Sequence, residues 1–276
     1  MMLDFGQRYL FCGSWFHELI CTLQPRMRRI SILSVAAVFL LACQPGCHPK
    51  FQPTSLQYAS YDVNQAATDS AYIAFIRPYA DKVGETMNNP VGELPLPLVK
   101  ALPDGSLGNF MADAYLAMAR EKFDPSAEVA YMNHGGIRLN QVQAGTLRRG
   151  TVYEVMPFDN LMVIVKVKGS LLRQFLDHIA EEGGGGIAGV QMSIRDKKAV
   201  NIRIKGQPLD TEATYTMVNS DYVVNGGGRF TAFKDLPAQK TGYLLRDAIL
   251  DYCERYKAAG KPIPVPTEKR IVHEQP

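Results

Sequence analysis

Apolar and polar residues alternate along this chain with more than one period, and the periods predict its elements. From Ser70 to Met87, Ala71, Phe75, Tyr79 and Val83 recur at helical spacing, and Asp69 or Ser70 can cap the start. Residues 88–105 contain four prolines and predict a loop with room for a short extended piece. Residues 107–122 predict an alanine-rich helix with Phe110, Ala114, Leu116, Ala117 and Met118 on its apolar face. Short strands are predicted at residues 129–132, 161–167, 190–195, 199–204, 207–209, 215–218 and near 270–272, with another extended region beginning at 151–155. The pair 199–204 and 207–209 predicts a hairpin. Further helices are expected at 171–181, capped by Ser170, and at 241–258. Strands and helices mix without the steady alternation of a doubly wound sheet, which predicts an α+β fold, a layered mixed sheet with helices.

The N-terminal part follows a different pattern. Residues 30–41 are almost wholly apolar, follow Arg28-Arg29 and lead into Ala42-Cys43. A basic start, a short apolar core and a small residue before the cut predict a secretory leader. The run is well short of the roughly 20 residues that span a bilayer. Cys43 after Leu40-Leu41-Ala42 resembles the lipobox of bacterial lipoproteins, which implies lipidation of Cys43 and attachment to the cell envelope. Residues 1–26 are then expected to be a misassigned extension before a start at Met27, the alternative being an unusually long basic region. Residues 27–42 form the signal peptide, 43–69 the lipidated Cys and a Gln-, Pro- and Ser-rich linker, and 70–276 the folded domain.

Charge and cysteines narrow the function. Thirty basic and 27 acidic residues leave a net charge of +3, without a basic run, so no nucleic-acid partner is expected. The five cysteines, Cys12, Cys21, Cys43, Cys47 and Cys253, have neither zinc spacing nor the pattern of a disulfide framework. His48, His134, His178 and His273 lie in no metal motif, and His178 shares its helix with Asp177 and Glu181, a combination that predicts a solvated face.

Three segments carry polar chemistry beside glycines. In Asn133-His134-Gly135-Gly136-Ile137-Arg138 the glycines let backbone approach a ligand, and Arg138 offers a planar fork of donors to phosphate or carboxylate. Pro157-Phe158-Asp159-Asn160 offers an aromatic face and an amide. Asn219 to Phe230 contains Tyr222 and the run Asn225-Gly226-Gly227-Gly228. Two aromatics can sandwich a planar base, and such stacking contributes about 1–3 kcal/mol per base. Gly183-Gly184-Gly185-Gly186 predicts a flexible loop; a phosphate cradle is the sharper alternative, but a strand rather than a helix follows.

These segments, together with Leu107-Gly108-Asn109, occur in the order found in the C-terminal domain of 5′-nucleotidases, which the chain resembles from about residue 70 to 272. The resemblance implies that Phe158 and Tyr222 stack on the base, that Asn160 contacts it, and that Asn133 and Arg138 face ribose and phosphate. Three departures stand out. Gly228 occupies the place of an Asp that binds the ribose hydroxyls in the family, and His134 replaces a usual Gly. Residues 101–106 hold none of the family's arginines, leaving Lys100 as the nearest cation. Asp221 and Asn225 are further possible ligand contacts.

The family's hydrolysis uses an N-terminal domain with two metal ions, whose motifs this sequence lacks. The expectation is therefore a nucleotide- or nucleoside-recognising domain, with no cofactor in this chain, acting with a separate metallophosphoesterase chain that carries divalent metals. A non-catalytic surface lipoprotein with a degenerate nucleotide pocket is the alternative.

Overall fold

The structure is a computed structural model that describes residues 68–274. The leader, Cys43 and nearly all of the linker lie outside the described residues.

The Val-rich segment at 161–168 becomes the organising strand. Its run of β-branched residues suits a pleated surface with apolar neighbours on both sides. In chain order the strands are β1 (Pro90–Leu94), β2 (Leu98–Val99), β3 (Val129–Met132), β4 (Gln141–Val142), β5 (Gly145–Arg148), β6 (Leu161–Lys168), β7 (Gly186–Ala188), β8 (Val190–Arg195), β9 (Lys198–Ile204), β10 (Gln207–Pro208), β11 (Thr214–Ser220), β12 (Ala238–Leu244) and β13 (Ile271–His273). The helices are α1 (Ser70–Met87), α2 (Ser106–Lys122), α3 (Arg149–Val155), α4 (Gly169–Glu181), α5 (Asp221–Val224) and α6 (Leu245–Ala258). A five-stranded mixed sheet has the order β12-β6-β11-β3-β7, with β11 and β3 parallel and its other pairs antiparallel. A four-stranded sheet has the order β10-β9-β8-β13, and two small antiparallel pairs, β1-β5 and β2-β4, complete the layers. The fold is α+β, as the pattern predicts.

The larger sheet separates two apolar cores because successive side chains of a strand point to opposite faces. Met162 and Ile164 join one core with α2 and α6, while Val163 and Val165 join the other with α4. The four-glycine run serves packing. A side chain on Gly186 would lie 2.3 Å from the Gly108 carbonyl oxygen, and one on Gly184 2.2 Å from that of Pro103. Glycine is therefore what lets β7 approach the start of α2. Asn109 ties the contact: its amide donates to Asp104 and its oxygen accepts from the Ile187 N–H.

Three expectations fail. Residues 151–155 are not extended but form most of α3, in which Val152 and Val155, three apart, share a buried face. Residues 241–244 are not the start of the last helix: they finish β12, which pairs with the outer edge of β6, and α6 starts at Leu245. Helix α4 starts at Gly169 without a side-chain cap from Ser170. Helix α1 forms where predicted, capped by the Asp69 carboxylate, yet Tyr72, Phe75, Tyr79 and Val83 are exposed. Among the described residues no helix is long and apolar enough to cross a membrane.

Candidate functional site

The first wall begins where β3 ends. Asn133 keeps an extended backbone, and a single 3₁₀ turn, His134–Gly136, follows, closed by the Gly136 N–H donating to the Asn133 carbonyl. Ile137 then drops into the core, and the Arg138 N–H bonds the Val155 carbonyl. This returns Arg138 to the end of α3, beside the Phe158 loop. Its guanidinium carbon lies 4.7 Å from the centroid of the Phe158 ring, within cation–π range. Lys100 braces the same turn by donating its ammonium to the Ile137 carbonyl at 2.9 Å. Burial, and next the Lys100 charge, lower the pKa of His134, which favours its neutral imidazole.

The second wall is the loop between α3 and β6. Phe158 packs partly against the first core, and the Asn160 carbonyl accepts from the Leu245 N–H at the start of α6. Helix N-termini leave donors without intrahelical acceptors, and here one of them holds the loop. The third wall is α5, a single turn capped by the Ser220 hydroxyl on the Val223 N–H. Tyr222 projects from it at 50% exposure. Gly227 lies directly against that ring: a Cβ there would come 2.5 Å from it. His178 holds the same glycine turn, with Nε2 at 2.7 Å from the Gly228 carbonyl and its ring 5.5 Å from that of Phe230. The sequence predicts a solvated face for His178; the side chain is half-exposed, and its ring meets this turn.

Asn133, Gly135, Gly136, Arg138, Phe158, Asn160 and Tyr222 together line one open cavity of about 320 Å³. The five residues expected to hold substrate thus meet from segments far apart in the chain. The other three are placed differently. Lys100 supports the turn from behind. One carboxylate oxygen of Asp221 accepts from the N–H groups of Leu161 and Tyr222, so this side chain fastens α5 to β6. Asn225 is exposed outside the lining and ends α5 through its backbone N–H to the Asp221 carbonyl. Among the described residues no group of three or more His, Cys, Asp or Glu comes together as a metal site would.

The family model for the 5′-nucleotidase C-terminal domain matches residues 83–235, more than half of the chain. The chain belongs to this family. A 5′-nucleotidase of Vibrio cholerae is 28% identical over 216 residues, which are 74% of this chain and 37% of that protein. The trifunctional nucleotide phosphoesterase protein YfkN of Bacillus subtilis is 27% identical over 183 residues, 60% of this chain and 12% of that protein. The crystal structure of a 5′-nucleotidase precursor from Thermus thermophilus superposes with a TM-score of 0.63 at 27% identity, covering 76% of this chain and 45% of that one. The chain therefore spans well under two thirds of these relatives. The three cavity walls arise from segments that lie within the 5′-nucleotidase C-terminal domain match.

Arg246 lies outside that match and in none of the motif segments. It is 7% exposed and reaches the loop that carries Phe158. One local signal marks it: a basic residue in the first turn of α6, where the helix dipole disfavours positive charge.

Proposed function

We propose that this domain binds a nucleotide or nucleoside, with the base between Phe158 and Tyr222, Asn160 on its edge, and Arg138 and Asn133 toward ribose and phosphate. The observation that carries this reading is the convergence of these five residues on one cavity. The cavity combines two apolar faces, two amides and a cation, and its lining contains no carboxylate to repel a phosphate. Calorimetry on the full chain with a panel of nucleotides and nucleosides tests it. Phe158→Ala and Tyr222→Ala should each weaken binding by about tenfold, the equivalent of roughly 1.4 kcal/mol. Equal affinity in parent and both variants would sink the stacking geometry, and no binding by the parent would sink the whole reading.

We further propose that hydrolysis occurs on a separate metallophosphoesterase chain that uses this domain for substrate recognition in nucleotide catabolism. The resident metals would then belong to that partner. Adding the lipoprotein to the purified partner should change its nucleotide turnover, and unchanged turnover would count against the pairing. Cys43 is proposed as the lipid anchor at the cell envelope. Mass spectrometry of the mature protein should find a diacylglyceryl modification there and none in Cys43→Ser; an unmodified Cys43 would remove the anchor.

One observation favours a second reading, a binding lipoprotein with a weakened pocket. Gly228 has no side chain for a ribose, and Asp221 is engaged with two backbone N–H groups. On this reading a ligand binds, and no phosphoesterase responds to it.

A further inference from the structure

We infer that Arg246 is a positioning residue for base stacking, holding the Phe158 loop from its inner side. The inference rests on the proposed role of Phe158. Burying a guanidinium is costly unless its donors are met. The two terminal nitrogens of Arg246 turn to the loop: one is 3.3 Å from the Phe158 carbonyl and 3.5 Å from that of Met156, and the other is 2.6 Å from the Asp159 carboxylate. Its planar group lies 4.2 Å from the centroid of the Tyr153 ring, on the helix that leads into the same loop. Its Nε is buried without a protein partner. The side chain is thus sandwiched between α3 and the loop, and its polar contacts draw the loop's carbonyls inward.

Only five residues, Met156 to Asn160, connect α3 to β6. With the Phe158 and Met156 carbonyls held by Arg246 and the Asn160 carbonyl held by the Leu245 N–H, few backbone rotations remain for Phe158. Two adjacent residues at the start of α6 therefore hold the backbone of both cavity-lining residues of this loop. Asp159, with a side chain 79% exposed, adds the outer half of the clamp. An exposed ion pair alone contributes little; the two carbonyls on a buried guanidinium make the clamp specific.

The test uses the full chain with Arg246→Met, and Arg246→Lys as the milder change. Hydrogen exchange without ligand reads the loop directly. Amides of residues 156–161 should exchange faster in Arg246→Met, while those of α4 keep the parent rate. An unchanged loop overturns the inference whether or not any nucleotide binds. Calorimetry with AMP then separates positioning from general destabilisation. Arg246→Met should weaken AMP binding by about tenfold in the parent, and by less than about twofold in the Phe158→Ala background, because the two changes remove one interaction. Ribose 5-phosphate, which has no base, should bind parent and variant alike. Equal losses in both backgrounds, or an equal loss for ribose 5-phosphate, would show a merely structural residue. If Arg246→Met does not fold, Arg246→Lys carries the same comparison, with a partial loss confined to AMP. A parent that binds no member of the nucleotide and nucleoside panel rejects the proposed function, while the exchange experiment still decides the clamp.

Discussion

Gly228 has φ 70° and ψ 19°, the left-handed region that Asp and Asn tolerate better than other side chains. A Cβ there would meet nothing within 4 Å. Gly228→Asp should therefore fold, at a cost on the order of 1 kcal/mol for the backbone. If the family's ribose contact can be restored here, AMP should gain severalfold in affinity over 2′-deoxy-AMP. An unchanged ratio in competition calorimetry would show that the turn lies too far from the sugar. The same scale shows what the sequence could and could not disclose. Asn133, Arg138, Phe158, Asn160 and Tyr222 were legible because each sits in a short motif of unusual residues. Arg246 and His178 were not, because their roles depend on carbonyls 88 and 50 residues away. Asp221 shows a related limit of short motifs: one of its carboxylate oxygens accepts two backbone N–H bonds, and no motif tells a fastener from a ligand.

Elements were readable where local preference and tertiary demand agreed. Helix α2 and strand β6 formed as their patterns predict. Helix α3 did not, since Thr151, Val152 and Val155 favour extended backbone, while burial of the two valines on one face favours helix. The β12–α6 boundary shifted because the outer edge of β6 needs a partner, and residues 238–244 supply one. Helix α1 has the opposite problem. Its amphipathic pattern predicts a buried face, yet Tyr79 is 66% exposed and no residue of the helix is buried. Tyr79→Glu should then leave the melting temperature within about 2 °C of the parent, as expected for a surface change. A fall of 5 °C or more would mean that this face is covered in solution.

At the scale of the molecule, the Arg270 side chain helps tie the C-terminal strand to the rest. Arg270 makes two bonds to the Asp113 carboxylate on α2 and donates a third to the Ile187 carbonyl, placing β13 beside β8. Burial raises the pKa of Asp113 despite the paired guanidinium, so the pair serves as an anchor more than as a source of stability. Arg270→Met should lower unfolding stability by roughly 2–3 kcal/mol at pH 7, because it strands a partly buried carboxylate. The deficit should shrink as the pH falls into the carboxylate range. An acid whose folded pKa is raised binds its proton more readily when folded, and protonation removes the unpaired charge. A deficit that is flat with pH in chemical denaturation would assign the loss to packing instead.

The cavity lies at one end of the larger sheet, where β3 and β11 finish and β6 begins. Phe158 leans on one apolar core, while Val223 and Val224, next to Tyr222, belong to the other. A molecule held between those rings would join segments that rest on different cores, and its occupancy would be felt as resistance to heat. At a hundred times its dissociation constant it would add about 2.7 kcal/mol to the folded state, so a melting curve alone could screen for what this domain holds.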